Sequence, residues 1–135
     1  MPRLKVLVPL DGSEKSMHSL NWVKKFFTPE EVEVTLINVM ERIYTGEVVP
    51  LNIEYTANSS VQILDEAEKE LAGYKVKKLN PWGYSSDAIL KEAADGNYDM
   101  IIMTKSSVKG ISRFIGSVTS KVVRNSEVAV GVVPE

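Results

Sequence analysis

Apolar positions along the chain alternate between two rhythms, one of strands and one of helices. Lys5 to Leu10 is a short β-rich run that stops at Asp11-Gly12-Ser13. Met17, Leu20, Val23 and Phe27 then recur at helical spacing behind Ser13, a candidate N-cap, until Thr28-Pro29-Glu30 closes the helix. In Val32 to Met40, residues Val34, Leu36, Ile37 and Val39 are too continuous for a half-exposed strand, which predicts buried parallel β-structure. The pattern fades from Glu41 to Ser59, where Gly46, Pro50, Asn52 and Asn58 act as breakers. That stretch is expected to be a long loop, and long loops are often functional. A second helix is predicted over Ser60 to Ala72, with Val61, Leu64, Ala67 and Leu71 on one face and Gly73 as its C′ residue.

Tyr74 to Leu79 alternates Val76 and Leu79 with Lys75, Lys77 and Lys78, which suits a strand at the border of a sheet, where solvated lysines discourage edge pairing. Asn80-Pro81-Trp82-Gly83 is a turn. Ser85 or Ser86 is expected to cap a third helix carrying Ile89, Leu90, Ala93 and Ala94, and Gly96 to end it. Tyr98 to Met103 is again a continuous apolar run. The polar stretch Thr104 to Gly116 follows, then a fourth helix through Val118, Val122 and Val123 to about Asn125 and a last strand, Val128 to Val133, closed by Pro134. Strands alternating with helices, without internal repeats, predict an α/β fold: one parallel sheet with right-handed crossovers, residues 1–135 forming a single domain.

Composition removes several classes of function. A content of 44% hydrophobic and 25% charged residues is that of an ordinary globular protein, not a disordered one. The run Leu4 to Leu10, broken by Lys5, is too short to span a membrane and wrong for a secretory signal, so no membrane association and a cytoplasmic location are expected. With no cysteine there is no disulfide or zinc-thiolate chemistry, and the single His18 supplies no histidine-rich metal site. Sixteen Lys and Arg against 18 Asp and Glu give a net charge of −2, against the basic excess of a nucleic-acid reader.

A doubly wound sheet binds ligands beyond the carboxyl ends of its strands, where the strand order reverses. The loop Asp11-Gly12-Ser13 after the first strand and the loop Thr104 to Gly116 after the fourth are expected to face each other there. Gly116-Ser117-Val118-Thr119 opens the fourth helix with a residue lacking Cβ, hydroxyls and free N–H groups at the positive end of the dipole, a composition that suits an anion. Ser117 as an ordinary N-cap, and Asp11 as a turn residue, explain the same positions without a ligand. His18, Trp22 and Trp82 read as packing or contact residues, and Lys105 and Arg113 as solvated cations. No Ser-His-Asp order, no Walker lysine and no paired carboxylates at a strand end are present, so no catalytic residue is assigned. A phospho-acceptor receiver domain would need clustered acids after its first strand, where Asp11 stands alone.

The whole chain resembles the universal stress protein family. Val8-Pro9-Leu10-Asp11-Gly12-Ser13 matches the family's first strand and turn, Asn38-Val39-Met40-Glu41 stands where His-Val is usual, and Gly83-Tyr84-Ser85-Ser86-Asp87-Ala88-Ile89 where Gly-Asp-Pro-x-x-x-Ile is common. Nucleotide-binding members carry Gly-x-x-Gly, nine residues and Gly-Ser/Thr after the fourth strand. Here Thr104 and Ser107 hold the first two glycine places, the Gly110 to Gly116 segment is one residue short, and Gly116-Ser117-Val118-Thr119 is kept.

The resemblance implies strand order 3-2-1-4-5 and a site for ATP or AMP, with or without Mg. Its residues would be Pro9, Asp11, Val39, Thr104, Ser107, Gly116, Ser117, Val118 and Thr119. Asp11 would lie on the nucleoside side, the Val39 backbone would meet the base, and Gly116 to Val118 would contact phosphates. Threonine at a glycine place is expected to weaken binding, because a β-branched residue tolerates φ > 0 poorly. The resemblance further implies a homodimer through the C-terminal strand, with Val128, Val130, Val132 and Val133 at an uncharged edge. The alternative is a nucleotide-free member acting on a client protein through protein contacts; any ATP hydrolysis would be incidental.

Overall fold

The computed structural model describes residues 2–41, 53–105 and 115–134. Along them run β1 (Leu4–Pro9), α1 (Glu14–Phe26), β2 (Val32–Ile37), α2 (Ile53–Glu70), β3 (Lys75–Leu79), α3 (Ser85–Asp95), β4 (Met100–Thr104), α4 (Ser117–Asn125) and β5 (Ala129–Val133). All strand pairings are parallel, in the predicted order β3-β2-β1-β4-β5. Register places Val6 beside Val34, Val34 beside Val76, and Ile101 beside Val130.

Successive strand residues face opposite sides of a sheet, which divides the apolar runs between two cores. Val6, Val8, Val34, Leu36 and Ile102 pack with Leu20 and Val23 of α1 and with Leu64, Ala67 and Leu71 of α2. Leu7, Ile37, Ile101 and Met103 pack on the other face with Ile89 and Ala93 of α3 and Val122 of α4. Both faces are covered, and this is why the central strands read as unbroken apolar runs.

The largest departure from the sequence reading is α2, which begins at Ile53 inside the stretch expected to be a loop; residues 42–52 of that stretch lie outside the described residues. The buried stripe of this helix runs through Ser60, Leu64, Ala67 and Leu71, while Val61, expected to face the core, is 48% exposed. A serine at a core position interrupts the apolar period, so the first two turns carry no helical signature. In α4 the inner positions are likewise Thr119 and Val122, and Val118 and Val123 are exposed.

Chain reversals follow local chemistry. Ser13 caps α1, its Oγ accepting from the Ser16 N–H at 3.1 Å. Gly73 turns the chain after α2 at φ +90°, a conformation that disfavours side chains. At the end of α3, Lys5 Nζ donates to the carbonyl of Gly96 and lies 4.9 Å from the Tyr98 ring centre, a cation placed at the negative end of the helix. On the β3 border the three lysines are exposed, and two of them are paired: Lys75 with Glu33 at 3.3 Å, and Lys78 with Asp65 at 2.9 Å and Glu68 at 3.1 Å. Among the described residues no helix is long and apolar enough to cross a membrane, and no group of acidic and histidine side chains is arranged to hold a metal ion.

Candidate functional site

Strand order reverses between β1 and β4, and the first wall of the site is the turn after β1. Leu10 continues the ladder by donating to the Ile37 carbonyl at 2.9 Å. Its own carbonyl accepts from Nδ2 of Asn38, a buried side chain, at 2.8 Å. Asp11 Oδ1 accepts from the Ser13 N–H at 2.9 Å, and the Asp11 N–H donates to Ser16 Oγ at 3.3 Å. The turn role weighed for Asp11 is therefore real, and it fixes the carboxylate. Gly12 has φ +87°, a conformation that disfavours side chains, and a Cβ there would come within 2.8 Å of Ile63 Cδ1, so α2 packs closely against the turn. Asn38→Ala is expected to lower stability by about 1–3 kcal/mol by leaving the Leu10 carbonyl unpaired, as a urea unfolding curve would show.

The second wall is the junction of β4 and α4. The Gly116 N–H donates to the Lys105 carbonyl at 2.7 Å, and Thr119 Oγ1 to the Thr104 carbonyl at 3.0 Å. Gly116, not Ser117, is the N-cap, so the ordinary capping role weighed for Ser117 is absent and its hydroxyl sits one position into the helix. Its N-cap, Gly116, has no side chain to offer the first N–H groups of α4, and the first turn holds no acidic residue.

Between these walls is a cavity of about 160 Å³. Pro9 reaches it from the end of β1, Asp11 from the turn that follows, Val39 from beyond β2, Thr104 from the end of β4, and Gly116, Ser117, Val118 and Thr119 from the start of α4. Ser107 lies outside the described residues, as do Gly110 and Arg113. The cavity also uses Leu10, Ser16, Ile37, Ser85, Ile89 and Met103, which the sequence reading did not assign to it. Ile37, Ile89 and Met103 were legible only as core, since a strand end that floors a pocket has the same apolar character as one that fills a core.

Two expectations are corrected here. Thr104 does not occupy a glycine-like backbone: among the described non-glycine residues only Asn97 has positive φ, and Thr104 sits in the β4–β5 ladder opposite Val133. What distinguishes it from glycine is its side chain, buried at the cavity wall. Neither serine caps α3. Ser85 is the first residue of that helix, and the Oε1 of Glu41, 44 positions earlier, accepts from both its N–H and its hydroxyl at 2.8 Å.

Fold and site together define a doubly wound α/β protein with a crevice at its switch point, the place where such sheets bind ligands. Residues 2–134 match the universal stress protein family, and the chain belongs to it. It is 33% identical, over 153 aligned positions, to universal stress protein MJ0577 of Methanocaldococcus jannaschii, covering 96% of this chain and 93% of that protein. The solved structure of MJ0577 superposes with a TM-score of 0.76 at 30% identity, over 100% of this chain and 98% of that one. A universal stress protein solved in complex with cAMP gives 0.74 at 18% identity, over 96% of each chain. One from Arabidopsis thaliana with AMP bound gives 0.76 at 15% identity, over 98% of this chain and 92% of that one. The last two likenesses are of fold.

Proposed function

We propose that this protein is a cytoplasmic stress-response regulator that binds an adenine nucleotide, AMP or ATP, with or without Mg, at the sheet's switch point. One observation carries the reading: a single cavity joins the Asp11 turn to the N-terminus of α4, whose N-cap is a glycine and whose first turn holds no acidic residue. Helix N-termini attract phosphate through their N–H groups and dipole. In this reading Gly116, Ser117, Val118 and Thr119 take the phosphates, and Pro9, Asp11 and Val39 the nucleoside. Proteins of this fold binding cAMP and AMP support it. Binding is weaker than in a member with all its glycines. The Thr104 side chain stands in the wall, and each charge-assisted bond lost at Thr104 or Ser107 contributes about 1.5–3 kcal/mol, or roughly ten- to a hundredfold in affinity. Any hydrolysis of ATP is incidental. Mass spectrometry of ligand released from the denatured protein, after incubation with AMP and ATP, tests the reading. Recovered nucleotide supports it, and none recovered favours action on a client protein through protein contacts.

The protein in this proposal is a homodimer joined at β5. Val128, Val130 and Val132 are half-buried in the single chain, and Val133 is already in its core, so Val133 contributes backbone, not side chain, to such a contact. Light scattering at tens of micromolar is expected to give twice the 15.0 kDa chain mass, and Val132→Lys to give the monomer.

A further inference from the structure

The helices around the cavity differ in what their N-termini already hold. That of α1 has Ser13 as its cap and Glu14 in its first turn. That of α3 has the Glu41 carboxylate on Ser85 and Asp87 in its first turn, the latter 3.2 Å from Lys121. Of these three, α4 alone has no acidic residue in its first turn, and its N-cap, Gly116, has no side chain.

Glu41 does not itself line the cavity but is bonded to Ser85, which does. Beyond the end of β2, the Asn38 N–H donates to the Leu79 carbonyl and the Met40 N–H to the Pro81 carbonyl, so the extended ladder continues past Ile37. Alternation then puts Ile37, Val39 and Glu41 on the same face. Ile37 and Val39 line the cavity, and so does Ser85, whose N–H and hydroxyl are both spent on Glu41 Oε1. Because β2 and β4 flank β1 on opposite sides, Glu41, beyond the end of β2, is on the β2 side and the N-terminus of α4, which follows β4, on the β4 side.

We propose that Glu41 is a specificity-determining residue of this site. By occupying the N-terminus of α3 with a fixed negative charge, it denies that helix to ligand phosphate and directs the anionic end of the ligand to α4. It also discriminates against ligands of high charge, favouring a monophosphate over a triphosphate relative to what the same cavity would do without it. This inference rests on the nucleotide reading of the cavity.

Glu41→Gln tests it, because glutamine keeps an oxygen for Ser85 to donate to and removes only the charge. Adenosine, AMP and ATP are titrated calorimetrically into the wild type and the variant. Adenosine, which is uncharged, is expected to bind both equally. AMP should gain slightly, and ATP by about three- to tenfold at low salt, the gain shrinking as added salt screens the charge. A structural role in capping α3 would move all three ligands together, or the melting curve alone. An unchanged ratio of ATP to adenosine affinity overturns this inference while leaving the nucleotide reading in place. Absence of binding by all three ligands to both proteins overturns the two together.

Discussion

Replacing Ser117 with glutamate is expected to lower affinity for AMP and ATP by more than about a hundredfold while leaving the protein at least as stable as before. Ser117 is exposed at the first position of α4, so the longer side chain meets no packed neighbour from the core. A carboxylate in the first turn interacts favourably with the helix dipole, by about 0.3–1 kcal/mol at an exposed site. It also places a negative charge where the proposed site would hold phosphate, adding repulsion to the loss of the position. Stability and affinity therefore move in opposite directions, which general damage to the fold cannot produce. Calorimetry with ATP and a urea unfolding curve on the same preparation check both. Unchanged affinity would remove α4 from the site.

The largest expected loss of stability comes from Gly96→Ala, at about 2–4 kcal/mol, or roughly 10 °C in Tm. The reason is space, since Gly96 has φ −89° and no need of glycine's freedom. A Cβ on Gly96 would overlap Cε2 of Tyr98 and approach its Cδ2 to 2.9 Å and the Glu92 carbonyl oxygen to 3.0 Å. Tyr98 cannot easily yield: it is 5% exposed, its hydroxyl donates to Glu92 Oε1 at 3.0 Å, and Lys5 lies against its ring. Gly73→Ala is the matched comparison, with nothing within 4 Å of the added carbon but a φ of +90°. It should cost only the backbone strain, about 1–2 kcal/mol. Thermal melts of the two variants separate crowding from conformational strain.

The sheet was legible because each central strand is buried on both faces and so had to be written as a continuous apolar run, and the lysines of β3 marked its border. The order of the strands was not in those patterns; it came with the resemblance that Val8 to Ser13 and Gly116 to Thr119 carry. The start of α2 was hidden by Ser60, a hydroxyl at a core position. The cap of α3 was hidden by distance in sequence, since nothing local to Ser85 indicates that Glu41 will reach it. At the site, the two loops could be placed together because polar and small residues interrupt apolar runs there. A glycine place in the family motif suggests glycine geometry at Thr104, whereas here the residue is the last of a regular strand.

The central claim is that the cavity between the Asp11 turn and α4 is an adenine-nucleotide site. Calorimetric titration of the wild type with AMP and ATP tests it most directly, with Asp11→Ala in parallel. Binding at one site per chain is expected, with a dissociation constant between about 10 μM and 1 mM, weakened roughly tenfold by Asp11→Ala. No heat from the wild type with either nucleotide at millimolar concentration would contradict it.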